Sequence, residues 1–170
     1  MGDANRNDFG IIRFREYKRW ISPKAKRVGI ITQPFDRGLL RWQDKGRAAV
    51  CKRAVYTLVD YLKGFLGNST QISIWNSVNE TLPLAYARMV MANQTFCSLS
   101  SFGIFPVIGT FGEGYFQQGN RGVNPFAQYL PSVLPNLHMM QAPVLRTMDI
   151  KKILRMRNGT EILMQNFTEE

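Results

Sequence analysis

Between residues 28 and 108 the chain passes three times from a short apolar run into a longer helical stretch, with few residues between them. This alternation constrains the fold more than any other feature. Val28-Gly29-Ile30-Ile31-Thr32 is a continuous apolar run of the kind carried by a parallel strand buried on both faces. From Arg47 onward, Val50, Ala54, Leu58, Leu62 and Phe65 recur at helical spacing, which predicts an amphipathic helix stopped by Gly67-Asn68. Gln71 to Trp75 alternates polar and apolar residues and reads as a second strand. Asn79 is then expected to cap a helix with Glu80 in its first turn, followed by an apolar stripe of Leu84, Ala87, Val90 and Met91 around Arg88. Gln94 to Leu99 reads as a third strand, and Ser101 to Ile108 as a helix shortened by Pro106 and Gly109. The expected fold class is α/β: a Rossmann-like three-layer parallel sheet covered on both faces.

The flanks are less regular. Residues 1–27 are basic and dotted with aromatics, and are expected to form an irregular segment, with Ile11 to Phe14 a short strand or a turn of helix. Residues 28–170 make up the expected domain. Phe35 to Gly46 reads as a loop. After Gly109 the glycines at 112, 114, 119 and 122 give a loop-like texture, and their spacing is not the Gly-x-Gly-x-x-Gly of a dinucleotide fold. Pro125, Pro131 and Pro135 mark a long loop before a short strand at Asn136 to Met140. Asp149 to Met156 and Thr160 to Phe167 read as helices broken at Asn158-Gly159.

A net charge of +10 favours an anionic partner, either nucleic acid, a membrane surface or a phosphate-bearing ligand. Much of that charge lies between Arg6 and Arg27. No apolar run approaches the ~20 residues of a membrane span, and Met1 to Arg6 carries neither a signal-peptide apolar core nor the Ser or Thr of a myristoylation site. With Cys51, Cys97 and the single His138, a four-ligand His/Cys zinc site cannot be built, so no metal or resident cofactor is expected. Asn68, Asn79, Asn93, Asn158 and Asn166 each open an Asn-x-Ser/Thr triplet, which is compatible with a secretory-pathway protein.

Candidate site residues gather at strand ends. Ser98, Ser100 and Ser101 precede Phe102-Gly103 where a strand feeds a helix. Hydroxyls and free amides at such a junction either cap the helix or seat a phosphate. Asn76, Asn79 and Glu80 follow the preceding strand, so in one parallel sheet they share an edge with Ser100. Arg88 between them is expected to be a surface residue. Glu113, between two glycines, is a possible site-loop carboxylate, and His138 is expected to be structural.

The run Asn79-Glu80-Thr81 … Ala85-Tyr86-Ala87-Arg88-Met89-Val90-Met91-Ala92-Asn93-Gln94-Thr95 … Ser100-Ser101-Phe102-Gly103 resembles the C-terminal nucleotide-sugar-binding half of GT-B glycosyltransferases, most closely the fucosyltransferase-like group. The resemblance covers roughly residues 28 to 116. It implies a GDP-sugar donor, with Ser100, Ser101, Phe102 and Gly103 around its diphosphate and Asn76, Asn79 and Glu80 near the base or ribose. It also implies a glycan or protein acceptor, a Golgi or other secretory location, and a partner N-terminal half. That family's His-x-Arg-x-Gly-Asp segment has no counterpart here, since the only histidine is His138. The resemblance therefore implies a donor-binding half of a longer transferase, a truncated chain, or a relative that binds without transferring. The alternative reading is a non-catalytic basic α/β module that binds nucleic acid or another anionic partner through residues 6–27.

Overall fold

Within the N-terminal segment expected to be irregular, the described residues form a short strand, β1 (Gly10–Ile12), and a helix, α1 (Phe14–Trp20). Ile12, Phe14 and Ile21 are apolar residues whose burial repays the ordering of this stretch, and all three are buried. The computed structural model describes residues 10–32, 45–76, 78–97, 101–117, 133–140, 144–146, 152–153 and 155–168. Within them the order continues β2 (Arg27–Ile31), α2 (Lys45–Leu66), β3 (Gln71–Trp75), α3 (Leu82–Val90), β4 (Gln94–Cys97) and α4 (Ser101–Ile108). It ends with β5 (Glu113–Gln117), β6 (Leu137–Met140), β7 (Val144–Arg146) and a fifth helix, α5 (Gly159–Thr168). Most of the long loop marked by Pro125, Pro131 and Pro135 and most of the loop expected from Phe35 lie outside the described residues.

The architecture is a mixed α/β fold with two small parallel sheets and, among the described residues, five helices. One sheet pairs β2 with β3 over five residues, from Arg27 opposite Gln71 to Ile31 opposite Trp75. The other runs β4-β5-β6, with Thr95 opposite Gly114 and Tyr115 opposite His138. β1 and β7 form a separate antiparallel pair. Alternation of strand and helix predicts a single sheet, but no ladder joins β3 to β4 among the described residues. The start of β4 is tied to the N-terminal segment instead. The Gln94 carboxamide accepts from the Ser22 N–H at 2.9 Å and donates to the Trp20 carbonyl at 3.1 Å.

Helix α2 ends at Gly67, whose positive φ of 86° suits a glycine past a helix C-terminus. Its inner face (Ala54, with Leu58 and Tyr61) packs with Phe14 of α1 and Leu163, Met164 and Phe167 of α5. The Phe14 and Phe167 rings stack 5.1 Å apart. A second core lies between α4 and the three-stranded sheet, built on Cys97, Val107, Phe116 and Leu137. A third joins Ile12, Tyr115 and Met140, with Tyr17, Trp20 and Phe96 packed against it.

These elements bear out one local reading and correct another. Helix α4 spans Ser101–Ile108 and stops before Gly109 as expected, with the buried Pro106 inside its last turn. The glycine-rich stretch after Gly109 is not loop throughout, because it contains β5. An added Cβ at Gly112 would overlap the Asn93 carbonyl oxygen, so that glycine serves close backbone approach. Of the C-terminal helices, Gly159–Thr168 forms, preceded by Asn158 at φ 59°, while Asp149 and its neighbours lie outside the described residues.

Candidate functional site

At the carboxyl end of β4 the chain leaves Cys97 and begins α4 at Ser101, which returns it to β5 parallel to β4. Ser98 and Ser100 lie outside the described residues, and Ser101 and Phe102 are placed by their backbone. The first N–H groups of a helix have no partner within it, and its dipole favours negative charge there. α4 carries no acidic residue in its first turn. Gly103, the third residue of α4, lies so close to the end of β4 that an added Cβ would overlap the Cys97 Sγ. That absence of a side chain seats the first helical turn directly on the strand it follows.

The neighbouring strand contributes a residue the sequence reading missed. Gln117 ends β5 and is 1% exposed, a buried carboxamide at the same carboxyl edge, opposite Met140 of β6. A polar residue closing the apolar run Tyr115-Phe116 was the available signal. Beneath this edge Tyr17 of α1 meets Phe96 edge-on at 6.3 Å. Burial, with a smaller contribution from Cys97, pushes the Tyr17 phenol up to about 12, so it stays protonated.

Asn76, Asn79 and Glu80 form a second group, at the carboxyl end of β3. Asn79 is not the cap of α3, and Glu80 is not in its first turn, since the helix starts at Leu82 with Thr81 before it. The physical reason is a competing local turn. The Asn79 carboxamide oxygen accepts from the Asn76 N–H at 2.8 Å, its nitrogen donates to the Ile74 carbonyl at 3.2 Å, and the Asn76 side chain accepts from the Val78 N–H at 2.9 Å. Asn and Asp side chains stabilise turns in this way. Glu80 is buried and accepts from Arg88 Nε at 2.7 and 2.9 Å. The Arg88 guanidinium in turn lies 4.4 Å from the Trp75 ring. Arg88 is indeed partly at the surface, with its side chain 41% exposed, but one edge of it neutralises Glu80. Sequence reading found neither contact, because Glu80 precedes the helix that carries its partner.

Glu113 does not belong with either group. It is the first residue of β5, at the amino edge, opposite Gln94. There its carboxylate contacts His138 Nε2, and the His138 ring stacks on Tyr115 at 4.9 Å. The glycines beside it, which made it look like a loop carboxylate, are packing glycines. Thus Ser101–Gly103 and Gln117 share one edge, and Asn76, Asn79 and Glu80 end a strand of the other sheet. Among the described residues no hydrogen bond or ion pair joins those two groups. No group of three His, Cys, Asp or Glu side chains is placed to hold a metal, again among the described residues. A shallow depression lined by Lys18, Tyr61, Gly64 and Phe65 lies between α1 and α2, at neither group.

The chain matches no protein-family model, no curated protein and no solved structure.

Proposed function

We propose that this chain is the donor-binding half of a fucosyltransferase-like glycosyltransferase, seating the diphosphate of a GDP-sugar at the start of α4. In this reading Ser100 and Ser101 supply hydroxyls, the first-turn amides of α4 supply N–H donors, and Gly103 lets the helix approach the strand. Asn76, Asn79 and Glu80 lie toward the base or ribose, which requires the β2–β3 and β4–β5–β6 ladders to act as one Rossmann-like sheet. A glycan or protein acceptor and a second GT-B half complete the enzyme, and the setting is the secretory pathway. The observation that carries the reading is the β4–α4–β5 crossover with Gly103 pressed on Cys97. Ligands of open α/β sheets bind at such carboxyl ends, and anions at such helix starts.

In transfer, this half would hold the donor and stabilise charge developing on the leaving diphosphate through preorganised donors. No group of this chain is assigned as the base. The nucleic-acid alternative is less well supported, because part of the basic segment is engaged internally. Arg15 and Arg19 lie 3.3 and 3.0 Å from the buried Glu16, and Lys18 lies over the Tyr61 ring.

The test is a thermal-shift titration of the chain with GDP, UDP and ADP at low and high salt. Selective stabilisation by GDP that survives salt is expected, and Ser100→Ala with Ser101→Ala should weaken it roughly 10- to 100-fold with the fold intact. Unchanged GDP affinity in that variant removes the site assignment. Stabilisation by every nucleotide, abolished by salt, would favour the basic module.

A further inference from the structure

Five of the nine threonines stand two residues after an asparagine, at Thr70, Thr81, Thr95, Thr160 and Thr168. Eleven asparagines and nine threonines scattered at random through 170 residues would produce fewer than about one such triplet. The donor-site reading leaves this excess unused. The fold sorts the five acceptors by what their carboxamides already do.

Asn68 is exposed in the turn between α2 and β3, Asn93 is exposed in the turn between α3 and β4, and Asn158 is exposed just before α5. Among the described residues none of these three carboxamides has a hydrogen-bond partner. Asn158 is also held at φ 59°, a left-handed conformation that asparagine tolerates well. The other two are committed. The Asn79 side chain both accepts and donates within the turn after β3. Asn166 lies within α5, half-buried, with its Nδ2 donating to the Ile162 carbonyl at 2.8 Å, next to Phe167 at 0% exposure.

The hydroxyls carry a second message. Thr70 and Thr95 are buried, and their Oγ1 atoms donate to Ala25 and Met89 carbonyls. Their triplets can be presented to an enzyme only before the chain folds, so folding must then accept the product. Asn68 and Asn93 meet that requirement, because both precede the amino ends of parallel strands. A large substituent there leaves the carboxyl ends of β3 and β4 open.

We propose that Asn68, Asn93 and Asn158 are N-glycosylation acceptors and that Asn79 and Asn166 are not. In each modification Asn Nδ2 forms a bond to C1 of the first sugar of a lipid diphosphate-linked oligosaccharide. The C1–O bond to the diphosphate breaks, the lipid diphosphate leaves, and Nδ2 gives up one proton. The proposal is independent of the nucleotide site, and its test reads glycan attachment alone.

The full chain is carried into the secretory pathway of cultured eukaryotic cells behind a cleavable signal. Enzymatic deglycosylation in heavy-oxygen water then converts each modified Asn to labelled Asp, read by peptide mass spectrometry on the folded chain recovered from the medium. Label at positions 68, 93 and 158, with 79 and 166 unlabelled, is the expected result. Label missing from any of the three, or present at 79 or 166 to the same extent, overturns it. Asn68→Gln, Asn93→Gln and Asn158→Gln should each remove one step in gel mobility, whereas Asn79→Gln and Asn166→Gln should remove none.

Discussion

The two parallel sheets use the same backbone pairing and differ in what covers them. In β4–β5–β6 most strand residues are buried, including every residue of β5 after Glu113. In β2–β3 none of the residues is buried, although the apolar run at Val28–Thr32 suggests a strand enclosed on both faces. Gly29 is covered by the ring of Trp75, and Trp75 by the Arg88 guanidinium, so the cover here is one aromatic and one cation. Ladder hydrogen bonds fix where strands run, but packing supplies most of the stability. One sheet is therefore a core, and the other is a platform whose carboxyl end presents Asn76, Asn79 and the Glu80–Arg88 pair.

The sharpest way to break this comparison is to truncate one large residue in each sheet. Phe116→Ala empties the core between α4 and the three-stranded sheet and should cost about 3–5 kcal/mol. Trp75→Ala should cost only about 1–2 kcal/mol, because the ring is part-exposed and its cation contact is partly solvated. Urea denaturation of both variants measures the order, and an equal or larger loss at Trp75 would abolish the distinction. A glycine pair sharpens it. Gly103→Ala drives a methyl into Cys97 within a closed core and should cost about 1–3 kcal/mol, whereas Gly29→Ala meets a ring that can swing outward and should cost less.

The smallest effect concerns pH. Tyr17 packs against both the helical core and the aromatic cluster beside β4, and its phenol titrates near 12 in the fold against an ordinary value of 10. A pKa raised in the folded state means the native chain holds its proton where the unfolded chain loses it. This contribution is complete below pH 10 and is lost as pH rises through 12, at a slope on the order of 1 kcal/mol per pH unit. Equilibrium unfolding between pH 9 and about 12, run beside Tyr17→Phe, should show a shallower decline in the variant.

Local periodicity made much of this legible. β3 at Gln71–Trp75 and α4 at Ser101–Ile108 form where alternation and a serine-led apolar run place them. β5 was hidden because glycine carries two meanings. Gly112 and Gly114 look like flexible punctuation in sequence, yet each stands where another backbone comes too close for a Cβ. The division into two sheets was hidden for a different reason. It is accompanied by Gln94 reaching Trp20 and Ser22, residues more than seventy positions away, and no periodicity encodes such a contact. At the candidate site the junction at Ser101 and Gly103 was readable from residue type. The Arg88 partner of Glu80 and the buried Gln117 required the third dimension.

Asn136 has a consequence for how β6 finds its place. Leu137-His138-Met139-Met140 is a short strand whose apolar side chains would tolerate sliding along β5 by two residues, since such a shift keeps every side chain on its own face. The Asn136 carboxamide nitrogen donates to the Thr110 carbonyl at 3.1 Å and the Gly112 carbonyl at 2.7 Å, and the Asn136 backbone carbonyl accepts from the Gly114 N–H. A slipped strand would lose all three bonds at once and strand a polar side chain against the sheet. Asn136 thus works as an index pin at the head of the strand, alongside the contacts His138 makes with Glu113 and Tyr115 further on, and together they allow β6 a single seat.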